Sequence, residues 1–276
     1  MKTMRIGIIG LGKMGEAIVR GNQGSSTAKY HFEGTTRTKE SAAKSSKDLR
    51  IKVHTDNARL IESSDVLILC VKPHQAEKIL REVAAKLRKS QLLISVCASI
   101  TTEQLGQWSS PAKGRKAGGP RVIRAMPNTP CLVGEGMTVF CAAPEVKKNE
   151  LEFAEQLFGG VGRTAVVEES LMDGVTGLSG CGPAYIYLII EALSEAGVKV
   201  GLSRHLSTLL ASQTMLGAAK MVLQRGVHPA ALKDEVTTPA GCTIDGLMAL
   251  EEGALRATLI RGVMAAARRS EKLREK

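Results

Sequence analysis

Gly10-Leu11-Gly12-Lys13-Met14-Gly15 follows directly on the apolar run Ile6-Gly7-Ile8-Ile9 and opens a segment with helical spacing. Strand, glycine-rich turn and helix in that order form the context in which G-x-G-x-x-G reads as a dinucleotide-binding fingerprint. Gly10 permits the tight turn, Gly12 lets the backbone approach a pyrophosphate, and Gly15 lets the helix pack closely on the strand. The helix N-terminus then presents N–H donors and a positive dipole to phosphate. This motif commits the start of the chain to a β-α-β unit, and the rest of the pattern agrees. Short β-branched runs at 5–9, 30–36, 51–54, 66–71, 92–96, 122–126, 137–141 and 164–167 alternate with helical segments, the rhythm of a doubly wound α/β sheet. The runs 66–71 and 92–96 are apolar almost throughout, as expected of central parallel strands covered on both faces.

From residue 168 the strand rhythm stops. Ala/Leu/Met-rich sequence with helical spacing predicts helices over 170–179, 182–198, 203–226, 229–236 and 243–272, with Ser203 as an N-cap. The 276 residues therefore divide into a dinucleotide-binding domain, 1–167, and an all-helical domain, 168–276. The run 206–223 is apolar around most of its circumference; such a helix has to be enclosed, which predicts an oligomer built through the helical domain.

Apolar residues at 43% and charged residues at 24% suit a globular protein. The uninterrupted apolar stretches fall short of the roughly 20 residues of a membrane span, so no membrane partner is expected. The chain passes from Met4-Arg5 straight into a strand with no apolar leader segment, which makes the cytoplasm the expected location. The six cysteines stand singly, without C-x-x-C or Cys/His spacing; reduced thiols and no metal are expected. The net charge of +11 hints at an acidic partner, but aromatics make up only 3% and no basic stretch is interleaved with them, so no nucleic acid is expected. The Gly/Pro/Lys-rich stretch 109–120 reads as an inserted surface loop without chemistry.

The dinucleotide is read at the end of the second strand, where NAD-binding folds place a carboxylate on the ribose 2′-hydroxyl. Here stand Thr36, Arg37 and Thr38. Hydroxyls and a cation suit a 2′-phosphate, which predicts NADP(H), with NAD(H) as the second choice. Glu33 is the dissenting residue: a register shift of three would restore the NAD reading. Asn57, Val71-Lys72-Pro73, Cys97-Ala98 and Met126-Pro127-Asn128 all fall at carboxyl ends of predicted strands, the edge where doubly wound sheets bind ligands.

In the helical half, Ser179-Gly180-Cys181-Gly182-Pro183-Ala184-Tyr185 breaks a helix with small residues, and 234–244 joins two helices through a hydroxyl-rich loop. The N–H groups around Gly241 to Thr243 could cradle a carboxylate, or Thr243 could simply cap the helix. Taken with the Gly10–Gly15 turn, Val71-Lys72-Pro73, 126–130, 178–185 and 196–202, the segment 234–244 closely resembles the pyrroline-5-carboxylate reductase family over almost the whole chain. The resemblance implies reduction of a cyclic imine, 1-pyrroline-5-carboxylate, to L-proline by NADPH or NADH. It also implies a Rossmann domain followed by a helical dimerisation domain, with active sites shared between subunits. Carried over by position, it assigns the cofactor to Gly10, Leu11, Gly12, Lys13, Met14 and Gly15, to Thr36, Arg37 and Thr38 at the 2′-phosphate, and to Asn57 at the adenosine. Val71, Lys72 and Ala98 fall towards the nicotinamide, and Pro73, Met126 and Asn128 are counted with the cofactor-binding residues. Substrate contacts fall on Glu169, Glu235, Thr238, Gly241, Cys242 and Thr243, with Glu235 through its main chain. Cys181, Cys242 and the insert at 113–119 depart from the common pattern.

Reducing C=N needs a hydride donor at carbon and a proton on nitrogen. The signature loop contains no His or Lys, so Thr243 becomes the candidate donor to the ring nitrogen, as a hydrogen bond or a relay from water. Two alternatives compete. A β-hydroxyacid dehydrogenase would carry a lysine on the helix 184–191, which has none. A regulatory NADP-binding protein could dispense with the hydroxyls that Thr238 and Thr243 retain.

Overall fold

The computed structural model describes residues 3–23, 30–111 and 118–274; most of the segment read as an insert lies outside the described residues. The chain forms two compact units, Met1–Gly180 together with Ala266–Lys276, and Cys181–Ala265. The first therefore runs past the division expected at 167/168. Met172 is buried with Val139 and Cys141 of the sheet, and Ser270 at the chain's end bonds Ser99 and Asp173.

The first unit is built on one eight-stranded sheet: β1 (Met4–Ile9), β2 (Tyr30–Thr35), β3 (Lys52–His54), β4 (Val66–Leu69), β5 (Leu92–Ser95), β6 (Arg121–Met126), β7 (Gly136–Ala142) and β8 (Gly162–Val166). Its order is β3-β2-β1-β4-β5-β6-β7-β8. The helices are α1 (Lys13–Asn22), α2 (Lys39–Leu49), α3 (Asn57–Ser63), α4 (Pro73–Val83), α5 (Thr102–Trp108), α6 (Lys148–Gly159) and α7 (Met172–Val175). The all-apolar strands serve two cores at once. Val66, Ile68, Leu92 and Ile94 face one cluster, whereas Leu67, Leu69 and Leu93 face the other, as period-two alternation requires. One pairing departs from the parallel rule: β7 runs antiparallel to β6. The connection from Met126 to Gly136 is too short for a crossover, which takes about a dozen residues or more. The helix expected over 170–179 is also modified, since α7 passes into π-helical turns at Thr176–Gly180.

The second unit contains α8 (Gly182–Lys199), α9 (Arg204–Arg225), α10 (Pro229–Glu235), α11 (Cys242–Glu252) and the start of α12 (Leu255–Arg274). Ser203 caps α9 as expected, accepting from Leu206 N at 3.3 Å. The single helix expected over 243–272 is two, because Gly253 ends α11 and Ala254 takes a left-handed φ of 53°. Only small residues are buried on α8 and α9, namely Ser194, Ser207 and Ala211. Leu188, Leu209, Leu216 and Leu223 remain exposed. Among the described residues α9 alone is long and apolar enough to cross a membrane, by length and composition.

Candidate active site

The strand order reverses between β1 and β4, and ligands bind outside the carboxyl ends of strands at such a switch point. A cleft of about 650 Å³ lies at this point, lined by Gly10, Leu11, Gly12, Thr36, Arg37, Thr38, Asn57, Val71 and Lys72 among others. Nine of the residues expected to hold the cofactor thus meet in one place. The glycine turn is fixed from below. Gly10 N–H donates to Thr35 Oγ1 at 3.4 Å, Thr35 Oγ1 donates to Asn57 Oδ1 at 2.7 Å, and Leu11 N–H donates to Thr35 O at 2.7 Å. Gly10 adopts φ 81°, and a Cβ there would meet Val71 Cγ1 at 2.5 Å, so only glycine serves. A Cβ on Gly12 would meet nothing within 4 Å. Gly12 is also the N-cap of α1, with no side-chain acceptor on the first N–H groups. An open cradle with unfilled donors at a helix start fits a pyrophosphate.

Thr36, Arg37 and Thr38 line the cleft at the end of β2. Thr38 also caps α2, accepting from Ser41 N at 3.2 Å. Glu33 is held elsewhere, with His31, Lys52 and His54 at 3.6, 3.8 and 3.9 Å. It does not line the cleft, so its carboxylate is not presented at the end of β2 where a ribose would be read. Lys13, Met14 and Gly15 form the first turn of α1 behind the cradle. Pro73 and Ala98 line a neighbouring cavity of about 530 Å³ with Ser99, Ile100 and Trp108; His74 borders both spaces. Met126 lies against Gly180. The Asn128 amide is occupied structurally, donating to Ser179 O at 3.2 Å and accepting from Met137 N at 2.9 Å.

Cys97, beside Ala98, donates from Sγ to Val71 O at 3.2 Å and ties two cofactor-side loops together. Burial pushes its thiol up to about 11, which keeps it a donor at neutral pH. Sequence reasoning missed Thr35, His74 and Gln75, which also line the cleft. Their positions, at the end of β2 and in the first turn of α4, were the available signal.

The substrate-side residues fall in both units. Glu169 spends its carboxylate within the first: Oε1 accepts from Thr102 N at 2.7 Å, Oε2 accepts from Thr102 Oγ1 at 2.6 Å, and Arg124 Nη1 lies 3.5 Å away. Glu235 is clamped bidentately by Arg225 at 2.6 and 2.8 Å, and that guanidinium holds its carboxyl below the usual range. In the second unit the chain turns from Thr238 to Gly241, with Gly241 N donating to Thr238 O at 3.0 Å and Ala240 at φ 55°. Gly241 is the N-cap of α11, without a side-chain cap. Thr243 is therefore not the cap; it sits inside the first turn with Cys242. Helix geometry leaves the N–H groups of 242–244 without intrahelical acceptors. Among the described residues no cluster of three or more His, Cys, Asp or Glu could hold a metal.

A family described as "Pyrroline-5-carboxylate reductase dimerisation" matches residues 169–273, and one described as "NADP oxidoreductase coenzyme F420-dependent" matches residues 5–99. The chain is 41% identical to the pyrroline-5-carboxylate reductase of Arabidopsis thaliana, over 99% of the chain and 96% of that relative.

The chain belongs to the pyrroline-5-carboxylate reductase family.

A solved family member from Coxiella burnetii is 34% identical with a TM-score of 0.88, covering 99% of each chain. One from Plasmodium falciparum, solved with NADP bound, is 31% identical with a TM-score of 0.83 over 99% of each. Membership of this oxidoreductase family removes the β-hydroxyacid dehydrogenase alternative. It also explains the exposed apolar faces of α8 and α9, which lie in the dimerisation region.

Proposed function

We propose that the chain reduces the C=N bond of 1-pyrroline-5-carboxylate to give L-proline, with NADPH as the preferred reductant and NADH as the second. When bound, the reduced nicotinamide supplies a hydride to the ring carbon; the ring nitrogen takes a proton, and the cyclic imine becomes a secondary amine. The cradle of Gly10 to Gly15 holds the pyrophosphate and Arg37 neutralises the 2′-phosphate, beside the hydroxyls of Thr36 and Thr38. Asn57 borders the adenosine. Val71, Lys72, Pro73, Ala98, Met126 and Asn128 shape the nicotinamide side, the last through the loop it holds.

The observation that carries the substrate assignment is the uncapped N-terminus of α11. Its free N–H groups at Cys242 and Thr243, beside Gly241 and Thr238, suit a small carboxylate. Thr243 adds a hydroxyl within the same turn, available to donate to the ring nitrogen or relay a proton from water. Glu235 contributes only main chain, since Arg225 takes its carboxylate. Catalysis then rests chiefly on holding two planar rings in register. The helical region, expected from residue 168, serves dimerisation. The six cysteines are all free thiols, which supports a reducing cytoplasmic setting.

The test is NADPH oxidation by the purified protein with 1-pyrroline-5-carboxylate, for wild type and Thr243→Val. The variant keeps shape and loses the hydroxyl, so kcat/KM for the imine falls by about 10²-fold while NADPH binding is unchanged. A wild type that does not turn over overturns the activity. A variant within about twofold of wild type assigns proton donation elsewhere.

A further inference from the structure

The loop from β5 to α5 carries Ala98 and, next to it, a residue in an unusual state. Ser99 has φ 58°, the left-handed region that side-chain-bearing residues rarely enter. Its Oγ lies 3.1 Å from Ser270 Oγ. Ser270, 3% exposed, donates in turn to Asp173 Oδ1 at 2.7 Å, and Arg274 Nε stands 3.4 Å from the other oxygen of that carboxylate. A serine has one proton to give. That of Ser270 goes to the carboxylate, so Ser99 must be the donor to Ser270 and the direction of the chain is fixed.

The same loop is gripped at two further points. Cys97 bonds Val71 O before it, and Thr102 bonds Glu169 after it. Glu169 and Asp173 stand one turn apart, so neighbouring carboxylates hold the end of the loop directly and its middle through Ser270. Only the middle grip acts on the residue whose backbone conformation is costly.

We propose that Ser99 is a positioning residue for the cofactor, its left-handed backbone held by the hydroxyl chain Ser99–Ser270–Asp173 so that Ala98 keeps the position the nicotinamide side requires. This deepens the reading above and rests on it, since Ala98 matters only if the cleft takes the dinucleotide.

NADPH binding to the full-length protein is followed by the fluorescence of Trp108, the single tryptophan, which lines the same cavity as Ala98 and Ser99. Ser270→Ala is expected to weaken NADPH binding about tenfold, and Ser270→Thr, which retains the hydroxyl, to bind as wild type does. The deciding variant is the double substitution Ser270→Ala with Ser99→Gly. Glycine holds a positive φ unaided, so affinity returns to within about twofold of wild type, whereas Ser270→Ala with Ser99→Ala stays weak. Should Ser270→Ala fail to fold, Asp173→Asn with and without Ser99→Gly reads the same chain. Wild-type affinity in Ser270→Ala, or a loss that Ser99→Gly does not restore, overturns the proposal and leaves Ser270 a packing residue. A wild type that does not bind NADPH overturns the cofactor reading, and this inference with it.

Discussion

Glu169→Gln separates two roles for a residue that the sequence resemblance assigns to substrate and the structure ties to a buried guanidinium. Arg124 is 1% exposed, its Nη2 has no hydrogen-bond partner among the described residues, and Glu169 Oε1 lies 3.5 Å from Nη1. At an effective dielectric of about 20 that pair is worth about 5 kcal/mol before desolvation. Breaking a buried pair by removing one partner costs about 3–5 kcal/mol. The Glu169 side chain is 31% exposed, so the lower end, about 3 kcal/mol, is expected. In a unit of this size that lowers Tm by about 6–12 °C. Glutamine keeps one oxygen for Thr102 N–H but replaces the one that accepts from Thr102 Oγ1, so most of the loss, though not all of it, belongs to the charge. In the Arg124→Met background no buried cation remains, and the same change should cost about 1 kcal/mol. Thermal unfolding of the four proteins by circular dichroism measures the cycle, and KM for the imine should move less than about threefold. Equal losses in both backgrounds would refute the ion-pair argument. A tenfold rise in KM at unchanged Tm would return Glu169 to the substrate.

Arg37→Asp replaces the cation proposed to meet the 2′-phosphate with a repelling charge; KM for NADPH should rise at least about tenfold and that for NADH stay nearly constant, and equal effects on both would end the assignment. Cys97 should resist alkylation at pH 8, where a thiol held at about 11 is ionised to about one part in a thousand, while exposed Cys242 reacts first; mass mapping of the adducts decides. Because folding raises that thiol from its ordinary value of 9.0, its contribution to stability is intact below pH 9 and is lost as pH climbs toward about 11, which urea titrations across that range would register. Leu216→Arg charges an exposed apolar position on α9, 44% accessible in the single chain; sedimentation should find aggregated or inactive protein, and a fully active monomer would exclude a shared site.

The central strands β4 and β5 were legible because each had to be apolar toward two cores, as Leu67 and Ile68 are toward opposite faces. The cofactor end of β2 was legible too, since hydroxyls and a cation in place of a carboxylate are a local chemical statement. The reversal of β7 was not, because hydrophobic pattern carries no strand direction. The break between α11 and α12 hid for a related reason: Ala254 is a strong helix former, and nothing in its side chain announces the left-handed φ of 53° that it adopts. Least legible were the partners of charged groups. The family resemblance assigns Glu169 and Glu235 to the substrate but does not say that Thr102 and Arg225 occupy their carboxylates. Nor can local pattern join Ser99 to Ser270, which are 171 residues apart.

The last eleven residues belong to the same compact unit as the first 180, so in genetic terms the helical segment is an insertion within the cofactor unit. A stop codon after residue 265 would remove Ser270 and Arg274, and with them the hold on Asp173 and Ser99. Such a truncation would strike nucleotide binding first although it deletes only the tail of a helix. A fragment meant to represent the cofactor half would have to rejoin both ends across the excised segment, and one cut simply at residue 168 would lack part of its own fold.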